Sequence, residues 1–256
     1  MRFPLAVAAL AAALPLGAAG GSWYFGASSA GPRLEGSYLG IQDGKPVDFD
    51  LVKDLALGKD GSGGGFLLEY QGPRFGLELA METQKYKGLN QITRDITISG
   101  QDFPAQATVS SRVKATATTF NWTVRLVKAP GFWFGVDLGV RSTYVDAQAH
   151  GVNYLSGEQG DAVFKSPLPM PQVGPSMGYA SGDGRFAIRG YYHYLGYKGA
   201  TYHHAGGDVR FFPLAWLGVR AYVASESWKV PNGSLKDDLE ITLDRSGAGF
   251  GVLVKF

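Results

Sequence analysis

Three of the four histidines, His193, His203 and His204, fall close together in the chain. Two histidines beside a carboxylate can hold a transition metal, and a single one can act as a general base. Lys198-Gly199 has the composition of a two-residue hairpin turn, and a turn there brings His193 opposite His204. A second candidate is Gly174-Pro-Ser-Met-Gly178, which matches the G-x-S-x-G nucleophile pattern. That pattern works only on a sharp strand-to-helix turn. Here apolar and small residues simply alternate, so Ser176 reads as a hydroxyl on a strand. Asp48, Asp50 and Asp54 offer oxygen ligands for Ca²⁺, without the Gly and distal Glu of an EF-hand loop. Phe49, Val52 and Leu55 in the same stretch favour instead an apolar segment folded over the rim. The Gly58–Gly65 run lacks the Lys-Ser/Thr of a phosphate loop. The chain has no Cys, which removes disulfides, thiolate metal sites and thiol nucleophiles. The expectation is no catalytic residue, no metal and no cofactor, with His193 and His204 as a polar site at a rim.

The elements that hold these residues are all strands. Hydrophobic residues make up 45% of 256 and charged ones only 18%, and the 37 Gly are about twice the usual share. Disorder is excluded by that apolar content, and a net charge of +2 leaves no electrostatic footprint for nucleic acid. Arg2, the apolar stretch Leu5–Leu16 and the small residues Gly17–Gly21 have the form of a cleaved secretory signal. Residues 1–20 are assigned to it and 21–256 to one domain. Its apolar core is too short for a helical membrane span.

From there the dominant period is two. Phe186, Ile188, Tyr192 and Tyr194 share one parity, and Arg185, Arg189, Tyr191 and His193 the other. Phe120, Trp122, Val124 and Leu126 likewise oppose Asn121, Thr123 and Arg125. Short connections near Pro73, Pro130, Gly182 and Pro213 alternate with long polar stretches at 44–64, 87–112, 149–166 and 231–237, the tight turn at Lys198-Gly199 apart. A β-sandwich needs no such asymmetry. An up-and-down transmembrane barrel has short turns at one end and long loops at the other. Ten strands are predicted, over 33–43, 64–71, 74–86, 114–128, 132–147, 167–180, 185–197, 200–212, 216–229 and 239–256, with eight or twelve as alternatives. Ser22–Ala30 reads as a lead-in or a further short strand.

The sequence closes on Ala248-Gly-Phe-Gly-Val-Leu-Val-Lys-Phe256, with Phe250, Val252, Val254 and Phe256 on one parity. This resembles the terminal assembly signal of bacterial outer-membrane β-barrels, the small OmpA/OmpX-like or porin-like kind. The resemblance implies an outer-membrane location, contact with lipid and lipopolysaccharide, and insertion by the barrel assembly machinery. Phe132, Trp133, Phe211, Phe212 and Trp216 flank the short turns, as an interfacial aromatic girdle would.

Within a barrel, the polar parity faces the lumen. Glu69, Glu78, Glu82, Arg125, Asp137, Arg141, Arg189, Asp208 and Arg220 all carry it. Charges in a narrow lumen must be paired, which predicts an ion-pair network. Turn registers set Arg189 opposite Asp208, with Arg220 beside it. The function expected is non-catalytic: envelope integrity, surface recognition, or slow passage of small solutes or ions. The alternative is an outer-membrane enzyme acting on lipid A or peptides through His193 or His204. Ten-strand omptin proteases resemble such an architecture and use carboxylates with a His near the outer rim, but no local motif of theirs is matched here.

Overall fold

A computed structural model describes residues 21–42, 44–57, 61–152, 157, 159–233 and 238–256. The predicted signal segment lies outside the described residues. Ten strands form a closed antiparallel ring: β1 (Ser22–Gln42), β3 (Ser62–Gln71), β4 (Phe75–Gln91), β7 (Thr108–Ala129), β8 (Phe132–Val152), β9 (Gln159–Ala180), β10 (Phe186–Tyr197), β11 (Ala200–Phe211), β12 (Leu217–Val230) and β13 (Leu239–Lys255). Pairing of β13 with β1 closes it. Trp23 and Phe256 exchange backbone hydrogen bonds of 3.1 and 3.0 Å at the closure. Three short strands, β2 (Lys45–Asp50), β5 (Ile96–Ile98) and β6 (Gln101–Phe103), lie in the first two long loops. Ser22–Ala30 is neither a lead-in nor an extra strand: it is the first half of β1, paired with both β13 and β3. Lys198 and Gly199, both with positive φ (48° and 84°), make the two-residue turn and pair His193 with His204.

Strand chemistry changes sides partway up the barrel. On β7 the near-turn half turns Phe120, Trp122 and Val124 outward and Thr119, Asn121 and Thr123 inward. Its far half turns Arg112 and Lys114 outward and buries Val109, Val113 and Ala115. On β8, Leu138 and Val140 face out with Asp137 and Arg141 inside, and higher up Val145 and Ala147 are buried instead. On β13, Phe250 and Val252 face out below, whereas Leu239, Ile241 and Leu243 face in above. Parity is unbroken across the exchange on each strand, the one register shift of β7 falling below it at Arg125/Val127, so only the surroundings differ. The lower segments present apolar surface outward over the ~9–11 residues that a tilted membrane strand needs. The upper segments follow the ordinary rule of apolar residues inside. The level at which the two rules exchange marks the outer edge of the apolar band.

Above that level β4, β7, β8 and β9 continue as a tall wall, while the β10–β11 hairpin ends at Lys198. The first two loops fold against the inner face of the wall. Val47, Phe49, Leu51, Leu55, Ile92, Ile96, Ile98 and Phe103 join Val109, Val113, Phe164, Tyr202 and Trp228 in one buried apolar cluster. Tyr38, Phe49 and Phe164 interlock with ring centroids 4.7–5.5 Å apart. This cluster caps the lumen.

The wall between β9 and β10 is held by only five residue pairs, Ala180–Ser176 against Ala187–Tyr191. Along the same stretch β9 pairs with β8 without a break. Pro167, Pro169, Pro171 and Pro175 share one parity of β9 and have no N–H to give. The unbroken β8 ladder requires those nitrogens to face the other way, toward β10. The β9 edge thereby lacks donors at four positions, which also guards an exposed edge from pairing with other chains.

Candidate functional site

The lower lumen holds six arginines, Arg125, Arg141, Arg189, Arg210, Arg220 and Arg245, and six carboxylates, Glu69, Glu78, Glu82, Asp137, Asp208 and Glu226. The charges balance, so this part of the lumen carries no net field of either sign. Two groups can be distinguished. Nearer the short turns, Arg189 reaches Glu78 at 2.5 Å, Asp137 at 3.2 Å and Glu69 at 3.7 Å. Arg210 bridges Glu69 (2.7 Å) and Asp208, and Arg220 reaches Asp208 at 3.2 Å. Arg125 joins through Gln71, which in turn donates to Glu69. Higher up, Arg141 spans the lumen between Glu82 (3.3 Å) and Glu226 (3.1 Å), and Arg245 pairs with Glu226. Tyr202 also donates to Glu226.

The nine predicted lumen residues therefore all meet ionic or hydrogen-bonding partners, but not always those the turn registers suggested. Arg189 stands opposite Asp208 in the ladder, yet its guanidinium crosses to Glu78 and Asp137. Arg220 is opposite Arg210 rather than Asp208, and reaches the carboxylate on the diagonal. Arg210, Glu226 and Arg245 were missed. Their signal was present, because Arg210 shares parity with Asp208, Glu226 with Arg220, and Arg245 lies on the side of β13 opposite to Phe250.

His193 and His204 are cross-strand partners with ring centroids 5.6 Å apart. They do not sit at a rim. His193 is fully buried and His204 nearly so, beneath the apolar cap. His193 Nε2 donates to Asp137 Oδ2 at 3.0 Å, and its ring stacks on Tyr191. Gln172 donates to His204 Nδ1 at 2.9 Å, which leaves the proton on Nε2 facing Tyr191 Oη at 3.3 Å. His193 and β8 meet across Gly174, where a Cβ would come within 1.9 Å of the Tyr192 carbonyl oxygen.

Asp137 is the hub of this region. It accepts from Thr123 Oγ1 (2.6 Å), Ser176 Oγ (2.7 Å), His193 and Arg189. Ser176 thus gives its proton to a carboxylate and not to a histidine, and β9 runs extended through it. The geometry is that of a structural anchor, not a nucleophile elbow.

Three other groups of residues singled out in the sequence have clear places. Asp48 and Asp54 both bind Arg94, at 3.0 and 2.6 Å, and Asp50 caps the turn by accepting from Val52 and Lys53. A guanidinium thus stands between Asp48 and Asp54. Hydrogen bonding to Asp54, opposed by burial and aided by Asp48, raises the Arg94 pKa. Phe132, Phe211 and Trp216 are exposed beside the short turns, but Trp133 and Phe212 point inward, with Arg125 4.7 Å over the Trp133 ring. Phe250, Val252 and Phe256 face outward as predicted by parity, and Val254 is half-buried beside them.

No family model and no curated relative matches this sequence. Among solved structures it is similar to the outer membrane protease OmpT from Escherichia coli, with 12% identity over 92% of this chain and 97% of that one, at a TM-score of 0.59. It also aligns with the translocator domain of the autotransporter NalP from Neisseria meningitidis (11% identity, 96% and 93% covered, TM-score 0.39). A third is the attachment invasion locus protein Ail of Yersinia pestis (11% identity, 93% and 99% covered, TM-score 0.31). Together with the ten-strand ring and its outward apolar band, the first of these shows the fold: an antiparallel outer-membrane-type β-barrel.

Proposed function

We propose that this protein resides in a bacterial outer membrane as a closed, non-catalytic barrel whose working surface is its outer lobe. The observation that carries this reading is the filled lumen. A charge-balanced network of buried and half-buried side chains occupies the lower half, and the apolar cluster covers it. Eight strands already leave only side-chain volume inside a barrel, and here the two extra strands are occupied by six arginines and their partners. Passage of solutes needs a continuous wet path, and a lumen filled in this way argues against one. Envelope integrity and surface recognition remain as roles, carried by the wall and the two folded loops. Residues 1–20 act as the export signal and 21–256 as the mature barrel, with lipid and lipopolysaccharide as its surroundings and the assembly machinery as its route in.

The enzyme reading has one feature in its favour, the His193–Asp137 contact in a fold shared with an outer membrane protease. Burial of both groups under the cap keeps a macromolecular substrate from reaching them. The test is planar-bilayer recording of refolded protein whose insertion is verified separately. No steps are expected above background. Regular single-channel openings would overturn the closed-lumen reading.

A further inference from the structure

The wall carries a concentrated positive patch. Lys85 and Lys87 on β4 face outward beside Lys114 and Arg112 on β7, and the register sets Lys85 directly opposite Lys114 and Lys87 directly opposite Arg112. All four are exposed, and among the described residues none has an ion pair or hydrogen bond. The nearest carboxylate by register is Asp146 on β8, which stands opposite Lys114 and is itself opposite Lys165 on β9. Asp146 thus stands between Lys114 and Lys165, and Asp161, higher on the wall, is taken up by His150 at 2.7 Å. Like charges directly opposed across a strand pair destabilise a sheet, so two such pairs in succession call for an anion from outside the chain.

Height identifies the anion. Directly below the patch, Thr83, Thr116 and Thr118 face outward with Met81, and below these Phe120 and Trp122 belong to the outward apolar band. Immediately behind it, Tyr86 and Val113 are buried in the upper core. The quartet thus occupies the level at which the strands exchange an apolar exterior for a polar one, where lipid headgroups end. Above it, an open groove of about 790 Å³ runs across the wall, lined by Lys87, Leu89, Arg112, Gln148, His150 and Asp161.

We propose that Lys85, Lys87, Arg112 and Lys114 form a binding site for the phosphate groups of anionic outer-leaflet lipid, with the rest of the headgroup lying in the groove. This rests on the reading of the barrel as membrane-spanning. The lipid phosphates neutralise the opposed cations, and the lipid's acyl chains run down the apolar band below.

The test compares wild type with the variant Lys85→Gln/Lys87→Gln/Arg112→Gln/Lys114→Gln, and with Lys229→Gln as a single-charge control on β12. Each is inserted into phosphatidylcholine vesicles containing diphosphoryl lipid A or its dephosphorylated form, and bound glycolipid is counted after extraction. Wild type and Lys229→Gln should retain the phosphorylated lipid, and the quadruple variant should lose roughly tenfold or more of it. The wild-type preference should also fall as salt rises. Equal retention by the quadruple variant, or no preference for the phosphorylated form, would overturn the site. Displacement of the lipid by millimolar inorganic phosphate would overturn the lipid as its ligand. Wild type that does not insert into phosphatidylcholine alone would instead remove the membrane reading beneath the proposal. Insertion of the quadruple variant there, read by its heat-modifiable gel mobility, keeps the two failures distinct.

Discussion

Glu226→Gln strands a buried cation, and its cost can be worked from the contacts. Glu226 and Arg245 have side chains only 2% and 6% exposed, and among the described residues Glu226 is the one carboxylate within ion-pair distance of Arg245. Arg141 is better insured, because Glu82 still holds it at 3.3 Å. Removing one partner of a buried pair costs ~3–5 kcal/mol, chiefly through the charge left behind. The Gln carbonyl still accepts from Arg141 and Tyr202, so the lower end, about 3 kcal/mol, is expected here. Glu226→Gln/Arg245→Met removes the stranded charge along with its partner. That double variant should return to within ~1 kcal/mol of wild type. Urea unfolding in vesicles, followed by the loss of heat-modifiable gel mobility, measures all three proteins. A single variant as stable as wild type would refute the claim that this part of the lumen is dry and ion-paired. A double variant no better than the single would refute the stranded-charge explanation.

Asp208→Ala should cost less, about 1–3 kcal/mol in the same assay, because Arg210 keeps Glu69 and Arg220 is partly exposed. A loss above that of Glu226→Gln would mean that the partners are ranked wrongly. Phe256→Asp puts a charge on the outward face where β13 closes the ring, and assembled barrel recovered from membranes should fall several-fold. Normal yield and mobility would deny Phe256 that part. The absence of Cys permits single-cysteine labelling with a membrane-impermeant maleimide on intact cells. Gln101→Cys should react at once and Gly182→Cys only after permeabilisation, and the reverse order would invert the topology.

Strand number and parity were legible because a barrel keeps one alternation from turn to turn, whichever environment each face meets. The turn at Lys198-Gly199 fixed a register for the same reason, since two residues leave no slack. The Pro213 turn is longer, and that is why Arg220 was set beside Asp208 in the ladder although it is opposite Arg210. Side-chain reach was not legible at all. An arginine can cross the lumen, so Arg189 passes over its ladder partner to find Glu78 and Asp137. The rim position given to His193 and His204 failed because it counted residues from a turn without the cap above them. That cap is built from Val47–Leu55 and Ile92–Phe103: the first was legible through Phe49 and Leu55 as a segment folded over the rim, whereas Ile92, Ile96, Ile98 and Phe103 are scattered among polar residues in a stretch that reads as a loop. The exchange of apolar and polar faces along β7, β8 and β13 was in the sequence, but it signals a membrane boundary only when both halves are known to belong to one strand.

Spin labels at single cysteines along β7 measure this boundary most directly. In the inserted barrel, labels at Phe120 and Trp122 should be accessible to oxygen and shielded from a water-soluble nickel chelate, whereas labels at Ser110 and Arg112, on the same outward face, should show the opposite. Labels at Asn121 and Thr119 should be shielded from both reagents. Chelate accessibility at Phe120 and Trp122 equal to that at Ser110 would contradict the account, because the apolar band would then face water.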